Sequence, residues 1–114
     1  MGATRQAALL RIYTDETAQV GDRPLFELLV QRAREARLAG ATVLRGRLGY
    51  GHSLLLHAHR SFDFEEDLPL VVEIVDDEAA LRRFAATLGD LHKIGLVTLE
   101  RVEVLQSSRG GVEG

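Results

Sequence analysis

The chain has 114 residues, 46% of them hydrophobic, a formal net charge of −3 and no cysteine. This length predicts one domain, because about 100–150 residues is the commonest domain size. The absence of cysteine excludes a disulfide scaffold, a cysteine nucleophile, thiolate-bound zinc and an iron–sulfur cluster. The mild negative charge argues against nucleic acid as a partner, because such binding depends on clustered Lys and Arg that neutralise phosphates.

No apolar run approaches the roughly 18 residues that a membrane helix needs, and the first residues lack the apolar centre of a secretory signal. We therefore expect a cytoplasmic protein that is not inserted in a membrane. Thirteen of the fourteen basic residues are arginine. A biased genomic composition is the simpler explanation, although arginine also suits fixed contacts with carboxylate or phosphate groups.

The first half of the chain predicts a helix between two strands. Residues 8–13 are apolar and rich in branched side chains, which is typical of a strand. From 24 to 38 the apolar residues recur at the spacing of one helical face, with Pro24 at the first helical position and Gly40 as a left-handed stop. Residues 42–48 form the second predicted strand.

The second half repeats this pattern. It predicts a strand over 68–75, a helix over 77–88 with Asp76 as N-cap and Gly89 as the stop, and a final strand over 96–104. The element order βαββαβ predicts an α+β, ferredoxin-like fold. In that fold a four-stranded antiparallel sheet carries both helices on one face.

Alternation within the strands predicts two sheet faces of different character. In the third strand Leu68, Leu70, Val72 and Ile74 form a wholly apolar face, which we place under the helices. The opposite face should then mix apolar and charged residues, and a mixed face predicts burial against another subunit. Scattered apolar residues on a monomer surface are the alternative. To this second face we assign Leu9, Arg11, Tyr13, Val43, Arg45, Arg47, Val71, Glu73, Val75, Val97, Leu99, Arg101 and Glu103.

A long segment, 49–67, separates the second and third predicted strands. Loops of this length without their own structure are usually functional or disordered. Within it, residues 54–59 contain no Gly or Pro and suit the arm of a hairpin. We place one domain over 1–105 and expect the tail 106–114, which is rich in Ser and Gly, to be disordered.

The end of the second predicted strand is the best candidate for anion binding. Arg45 and Arg47 would supply guanidinium groups, and the glycines at 46, 49 and 51 would let backbone N–H groups approach an anion closely. The stretch is neither a Walker A nor a Rossmann motif, because no Lys-Ser/Thr follows and no helix begins there. A strand that bends before a hairpin arm explains the glycines equally well.

Other chemistry has less support in the sequence. There is no Gly-x-Ser-x-Gly motif and no cysteine, so we expect no enzymatic activity. The histidines His52, His57 and His59 could together hold a transition metal. We predict no metal site, because structural sites normally close with four protein ligands and exposed loop histidines are commoner.

Segments spread over residues 8–105 carry a family likeness. They are LRIY at 10–13 followed by Glu16, PL at 24–25, GATVLRG at 40–46, GYG at 49–51, DLPLVVEIVD at 67–76 and GLVTLE at 95–100. In combination they closely resemble the uncharacterised PII-like bacterial family, which is related to PII signal-transduction proteins and to CutA.

The resemblance implies a trimer of ferredoxin-like subunits that binds an adenine nucleotide, namely ATP, ADP or AMP, in the cleft between subunits. The 49–67 loop lies where PII proteins carry the loop that grips a partner, often a membrane transporter. Gly49, Tyr50 and Gly51 are similar to the turn at the base of that loop. Lys93 remains from the second phosphate loop of PII proteins, whose glycine spacing is altered here.

The sequence therefore predicts a non-enzymatic, PII-like regulatory homotrimer. We expect a small anionic effector near the site residues Arg45, Arg47, Gly49, Tyr50, Gly51 and Lys93, and a partner controlled through the 49–67 loop. Two alternatives remain. One is a CutA-like divalent-metal-binding protein that uses His52, His57 and His59, and the other is a structural oligomer without a ligand.

Overall fold

A computed structural model of the chain describes residues 4–50, 56–58 and 68–107. The described part contains a sheet of four strands, two short two-stranded hairpins and two helices. In chain order the elements are β1 (Arg5–Asp15), β2 (Gln19–Val20), β3 (Arg23–Pro24), α1 (Leu25–Glu35), β4 (Thr42–Arg45), β5 (Leu48–Tyr50), β6 (Leu56–Ala58), β7 (Pro69–Asp76), α2 (Glu78–Ala86) and β8 (Leu96–Val104).

The central strand of the main sheet is β1, which pairs with β7 on one side and with β8 on the other. The strand order is β4-β7-β1-β8, and every neighbouring pair is antiparallel. Both helices pack on one face of this sheet, so the α+β, ferredoxin-like fold is confirmed. The buried core consists mainly of Ala8, Leu10, Ile12, Leu25, Leu29, Ala33, Val72, Ile74, Leu81, Phe84 and Leu88.

The strand register corrects part of the face assignment made from the sequence. Residues directly opposite each other in an antiparallel pair project from the same face. Leu99 lies opposite Leu10 and Val43 lies opposite Val72, and both Leu10 and Val72 are buried under the helices. Alternation alone separates two sets of residues in a strand but does not say which set faces the helices. The positions that belong to the helix-covered face, contrary to expectation, are Val43, Arg45, Val97, Leu99, Arg101 and Glu103.

Arg101 illustrates the correction. Its Nε and Nη2 donate to the two carboxylate oxygens of Glu78, in the first turn of α2, at 2.9 and 3.2 Å. The Nε of Arg82 donates to the same carboxylate at 2.9 Å. The hydrogen bond from Arg82, followed by that from Arg101, lowers the pKa of Glu78 below its ordinary value. Arg101 therefore connects β8 to α2 within one subunit. The prediction that it lies on the second sheet face is wrong.

The opposite face of the sheet, called the open face below, is covered by neither helix. Apolar side chains dominate it, and Leu44, Val75 and Leu96 are 46%, 39% and 56% exposed. The register assigns to the open face Ala7, Leu9, Arg11 and Tyr13 of β1, Thr42 and Leu44 of β4, Val71, Glu73 and Val75 of β7, and Leu96, Thr98, Glu100, Val102 and Val104 of β8.

The first helix ends without the predicted glycine. Its C-cap is Ala36, and the left-handed residue that follows is Arg37, with φ 63°. The amide of Arg37 donates to the carbonyl of Arg34 at 2.9 Å, and the amide of Leu38 donates to that of Ala33 at 3.1 Å. This pair of bonds is the Schellman arrangement, which satisfies the last carbonyls of a helix. The prediction that Gly40 supplies the left-handed stop is therefore wrong.

The second helix begins one residue later than predicted. Its N-cap is Asp77, whose side chain makes no capping bond. The side chain of Asp76 is buried and accepts hydrogen bonds from the amides of Asp77 and Ala39, both at 2.7 Å. Asp76 thus joins the start of α2 to the chain after α1 instead of capping the helix. Gly89 also lies beyond the observed end, since Thr87 is the C-cap of α2.

Two hairpins are seen only in the structure as separate elements. The two-residue strands β2 and β3 pair across Gly21, whose φ is +64°, directly before α1. The strands β5 and β6 pair with Gly49 opposite His57, so part of the predicted hairpin arm over 54–59 is confirmed at residues 56–58. The remainder of the 49–67 loop and most of the predicted disordered tail lie outside the described residues.

Replacing Arg37 by glycine is expected to raise the free energy of unfolding by about 0.5–1 kcal/mol, because the left-handed conformation costs a residue with a Cβ more than it costs glycine. Urea denaturation followed by circular dichroism measures this. Arg34→Gly, three residues earlier inside the helix, is the matched control and should lower the same free energy by about 1 kcal/mol. A loss of stability in both variants would contradict the assignment.

Candidate functional site

Arg45 is the last residue of β4 and is held by a carboxylate. Its Nη2 forms an ion pair with Oε2 of Glu16, in the turn that follows β1. The side chain of Glu16 is only 21% exposed, whereas that of Arg45 is 62% exposed. Part of the guanidinium is thus neutralised within the subunit and the rest faces solvent, where it can donate to an anion.

Glu16 links the end of β4 to the start of β7, the two strands that border the long loop. Its backbone amide donates to the carbonyl of Leu68 at 2.9 Å, just before β7. Its side chain contacts Arg45 at the end of β4. The sequence did not predict this ion pair, because its two residues are 29 positions apart.

Gly46 has a structural reason to be glycine. Its amide donates to the carbonyl of Pro69 at 2.7 Å, and a Cβ at Gly46 would lie 2.8 Å from Cγ of the Pro69 ring. This contact is too short for a residue with a side chain unless the Pro69 ring or the strand β7 shifts. For Gly46, the alternative that glycine serves the bend of the strand is therefore the better explanation.

The other residues predicted from this stretch are described only in part. Arg47 follows Gly46 in a bend and is exposed. Gly49 and Tyr50 belong to β5, where their backbones pair with His57 and Leu56.

Several predicted residues fall where the structure gives no position or no side-chain detail. Gly51, His52 and His59 lie outside the described residues, and for His57 only the backbone is described. Within the described residues no group of three or more His, Asp or Glu side chains could hold a metal ion. The alternative metal site at His52, His57 and His59 stays a prediction.

Lys93, the chain's only lysine, has an unusual backbone conformation. Its φ is +76°, in the left-handed region that residues with a Cβ rarely adopt. The hydroxyl of Thr14, near the end of β1, donates to the carbonyl of Lys93 at 2.9 Å. Two residues later the amide of Gly95 donates to the carbonyl of Tyr13 at 2.8 Å. The segment that carries Lys93 is therefore anchored to β1 by two hydrogen bonds.

A bidentate ion pair fixes the other end of this segment. Nη1 and Nη2 of Arg32, on α1, donate to the two carboxylate oxygens of Asp90 at 3.2 and 3.1 Å. The hydrogen bond from Arg32 lowers the pKa of Asp90, and the same bond raises the pKa of Arg32. Asp90 is thus charged at neutral pH and holds the 87–95 segment against α1.

Arg45 and Lys93 lie at the same end of the sheet but towards opposite edges. β1 and β4 are both antiparallel to β7, so they end together, and β8 begins at that end. Arg45 is on the edge strand β4, while Lys93 lies beside β1 and β8. Two to three strand spacings separate the backbones of Arg45 and Lys93, which is on the order of 10–14 Å. In the described structure Arg45 is paired with Glu16, and the backbone of Lys93 is bonded to Thr14.

The described part of the chain has a groove elsewhere. A shallow cavity of about 710 Å³ between α1 and β4 is lined by Phe26, Val30 and Val43 together with Glu27, Gln31, Arg34 and Glu35. None of the predicted effector-binding residues lines it.

In the ranges that the structure describes, no helix is both long and apolar enough to cross a membrane.

Comparison with known proteins identifies the family of this chain. The model of the DUF190 family, described as Uncharacterized ACR, matches residues 7–104. The chain belongs to the DUF190 family. Two UPF0166 proteins of Aquifex aeolicus (strain VF5) are similar to it. One is 42% identical over 97 residues, covering 85% of this chain and 91% of that protein. The other is 29% identical over 96 residues, covering 84% and 94%.

Solved structures show the same fold as this DUF190 chain. A putative PII-like signaling protein from Thermus thermophilus superposes with a TM-score of 0.66 at 17% identity, covering 90% of this chain and 92% of that one. CPII from Thiomonas intermedia K12, bound to ADP and bicarbonate, superposes with a TM-score of 0.70 at 14% identity, covering 91% and 93%. The likeness to the PII-like family inferred from the sequence is confirmed.

Replacing Gly46 by alanine is expected to lower the free energy of unfolding by about 1–3 kcal/mol, because the added methyl group would press on the Pro69 ring. Chemical denaturation measures the change. Gly89→Ala is the matched control, since a Cβ there meets no atom within 4 Å, and should change stability by less than about 0.5 kcal/mol. Equal effects of the two substitutions would show that the Pro69 contact does not constrain position 46.

Proposed function

We propose that this protein is a non-enzymatic PII-like regulator, a homotrimer that binds an adenine nucleotide between its subunits. The observation that carries the proposal is the position of Arg45 and Lys93, at one end of the sheet and towards its two opposite edges. Within one subunit Arg45 is paired with Glu16, and Lys93 takes no part in that contact. A neighbouring copy that brings its β4 edge next to the β8 side of the first subunit would complete the site.

The open face supplies a reason for the subunits to associate. It carries exposed Leu44, Val75 and Leu96, and an apolar sheet face of this kind is typical of an interaction surface. Assembly through it would remove this apolar area from water, at roughly 25 cal/mol per Å². The same contact would fix the subunit edges relative to one another, and so define the cleft.

The ligands of the structural neighbours favour an adenine nucleotide as the effector. Structures of CPII from Thiomonas intermedia K12 contain ADP with bicarbonate, and ADP with AMP. Here the phosphates of ATP, ADP or AMP would take hydrogen bonds from Arg45 and Arg47 of one subunit and an ion pair with Lys93 of the next. The turn Gly49-Tyr50-Gly51 would lie against the nucleotide.

The proposed regulatory output is a change in how the 49–67 segment binds a partner. Nucleotide binding would change the affinity of the 49–67 segment for a partner such as a membrane transporter. A ligand achieves this only if it binds the two states of the protein with different affinity. The expected cytoplasmic location and the absence of enzymatic activity remain predictions.

Isothermal titration with ATP, ADP, AMP and cyclic dinucleotides tests the effector. We expect saturable binding of at least one adenine nucleotide, and about ten-fold weaker binding in Arg45→Ala, which removes a charge-assisted contact. Arg34→Ala, an exposed arginine of α1 away from this end of the sheet, is the control and should bind normally. No heat with any of these nucleotides, on a confirmed trimer, would exclude the nucleotide proposal.

Assembly is tested by two valines with the same exposed fraction. Val75 on the open face and Val97 on the helix-covered face are each 39% exposed. We expect Val75→Glu to reduce the mass measured by light scattering to one third, because it places a charge in the subunit contact. Val97→Glu should leave the mass unchanged. A monomeric wild-type protein, or dissociation by both substitutions, would contradict assembly through the open face.

A further inference from the structure

The backbone of Lys93 is held in a conformation for which glycine is the usual residue. Only two non-glycine residues of the described part have positive φ, Arg37 and Lys93. Arg37 ends a helix, where a left-handed residue satisfies the last carbonyls. Lys93 ends no helix, because α2 has already finished at Ala86. Its conformation therefore calls for a different explanation.

The surroundings of Lys93 maintain this conformation from both directions. Before it, Asp90 is clamped by Arg32, and the amide of Leu91 donates to the carbonyl of Leu88 at 3.0 Å. After it, the amide of Gly95 is bonded to β1. At Lys93 itself, the carbonyl accepts from the Thr14 hydroxyl. Strained residues persist only where neighbouring contacts hold them, and they concentrate at ligand-binding sites.

We propose that Thr14 is a positioning residue for Lys93, and that it sets the direction from which the lysine side chain reaches the effector. The inference rests on the proposed function, in which Lys93 contacts the anion. Thr14 is suited to this role because it lies near the end of the central strand β1, paired opposite Leu70 of β7. Its single hydrogen bond to the Lys93 carbonyl restrains the peptide unit that follows the lysine Cα.

Because Lys93 is charged, the direction of its side chain affects anion binding. Lys93 is the only lysine of the chain, and no arginine lies between Arg83 and Arg101 in the sequence. An ammonium group acts as a point charge, so its contribution depends on its distance from the phosphate. A loop that leaves the left-handed conformation would turn the Cα–Cβ bond of Lys93 away and lose this contribution.

Thr14→Val and Thr14→Ser form the first test. Valine keeps the shape but removes the donor, so we expect roughly 3- to 10-fold weaker ADP binding by calorimetry. Serine keeps the hydroxyl and should restore wild-type affinity. Hydrogen exchange of the Gly95 amide gives a readout that needs no nucleotide, and it should be faster in Thr14→Val and unchanged in Thr14→Ser.

Lys93→Gly and Arg37→Gly form the second test, since both replace a left-handed basic residue by glycine. Each should raise the unfolding temperature by about 2–5 °C, because each relieves backbone strain. Only Lys93→Gly should weaken ADP binding, by about ten-fold or more. A lysine with a purely structural role would show the gain in stability without the loss of affinity.

The outcomes separate this inference from the proposed function. Absence of nucleotide binding by the wild-type trimer overturns the proposed function and with it the role of Lys93. Nucleotide binding that is unchanged in Thr14→Val overturns the positioning role alone, whereas binding that is unchanged in Lys93→Gly also removes Lys93 from the proposed site. Unchanged exchange of the Gly95 amide in Thr14→Val also overturns it, because the hydroxyl would then not hold the segment.

Discussion

The pairing of β1 with β7 on one side and β8 on the other is the constraint on which the rest of this structure depends. Because side chains alternate along a strand, this double register decides at once which residues lie under the helices and which form the open face. Leu10 and Ile12 are completely covered as a result, while Leu9 and Tyr13 point the other way. The end of the same strand also anchors Lys93 and leads into Glu16.

Arg11 shows how a charge is accommodated in the middle of the open face. Its Nε donates to Glu73 at 3.0 Å and its Nη1 donates to Glu100 at 2.6 Å, one carboxylate from each neighbouring strand. The hydrogen bond to Glu73, followed by that to Glu100, raises the pKa of Arg11 above its ordinary value. A second subunit could cover this guanidinium without leaving it unpaired, which is the condition for burying a charge at low cost.

The candidate site also depends on contacts between distant parts of the chain. Glu16 and Pro69 hold the end of β4, whereas Thr14 and Arg32 hold the segment around Lys93. Sequence reasoning found the basic residues because Arg, Lys and Gly near a strand end are a recognisable combination. It could not find the residues that hold them, since a carboxylate or a hydroxyl at the end of β1 looks like ordinary loop chemistry.

The sequence by itself determined the order of the main elements, the two helices, the four main strands and the family likeness, because these follow from local periodicity and short motifs. Only the tertiary structure decided the faces of β4 and β8, the left-handed Arg37 in place of Gly40, and the partners of Arg45 and Lys93. The physical reason is that alternation fixes side-chain directions within a strand only relative to one another. Which side meets the helices depends on hydrogen-bonded register with strands that are distant in the sequence.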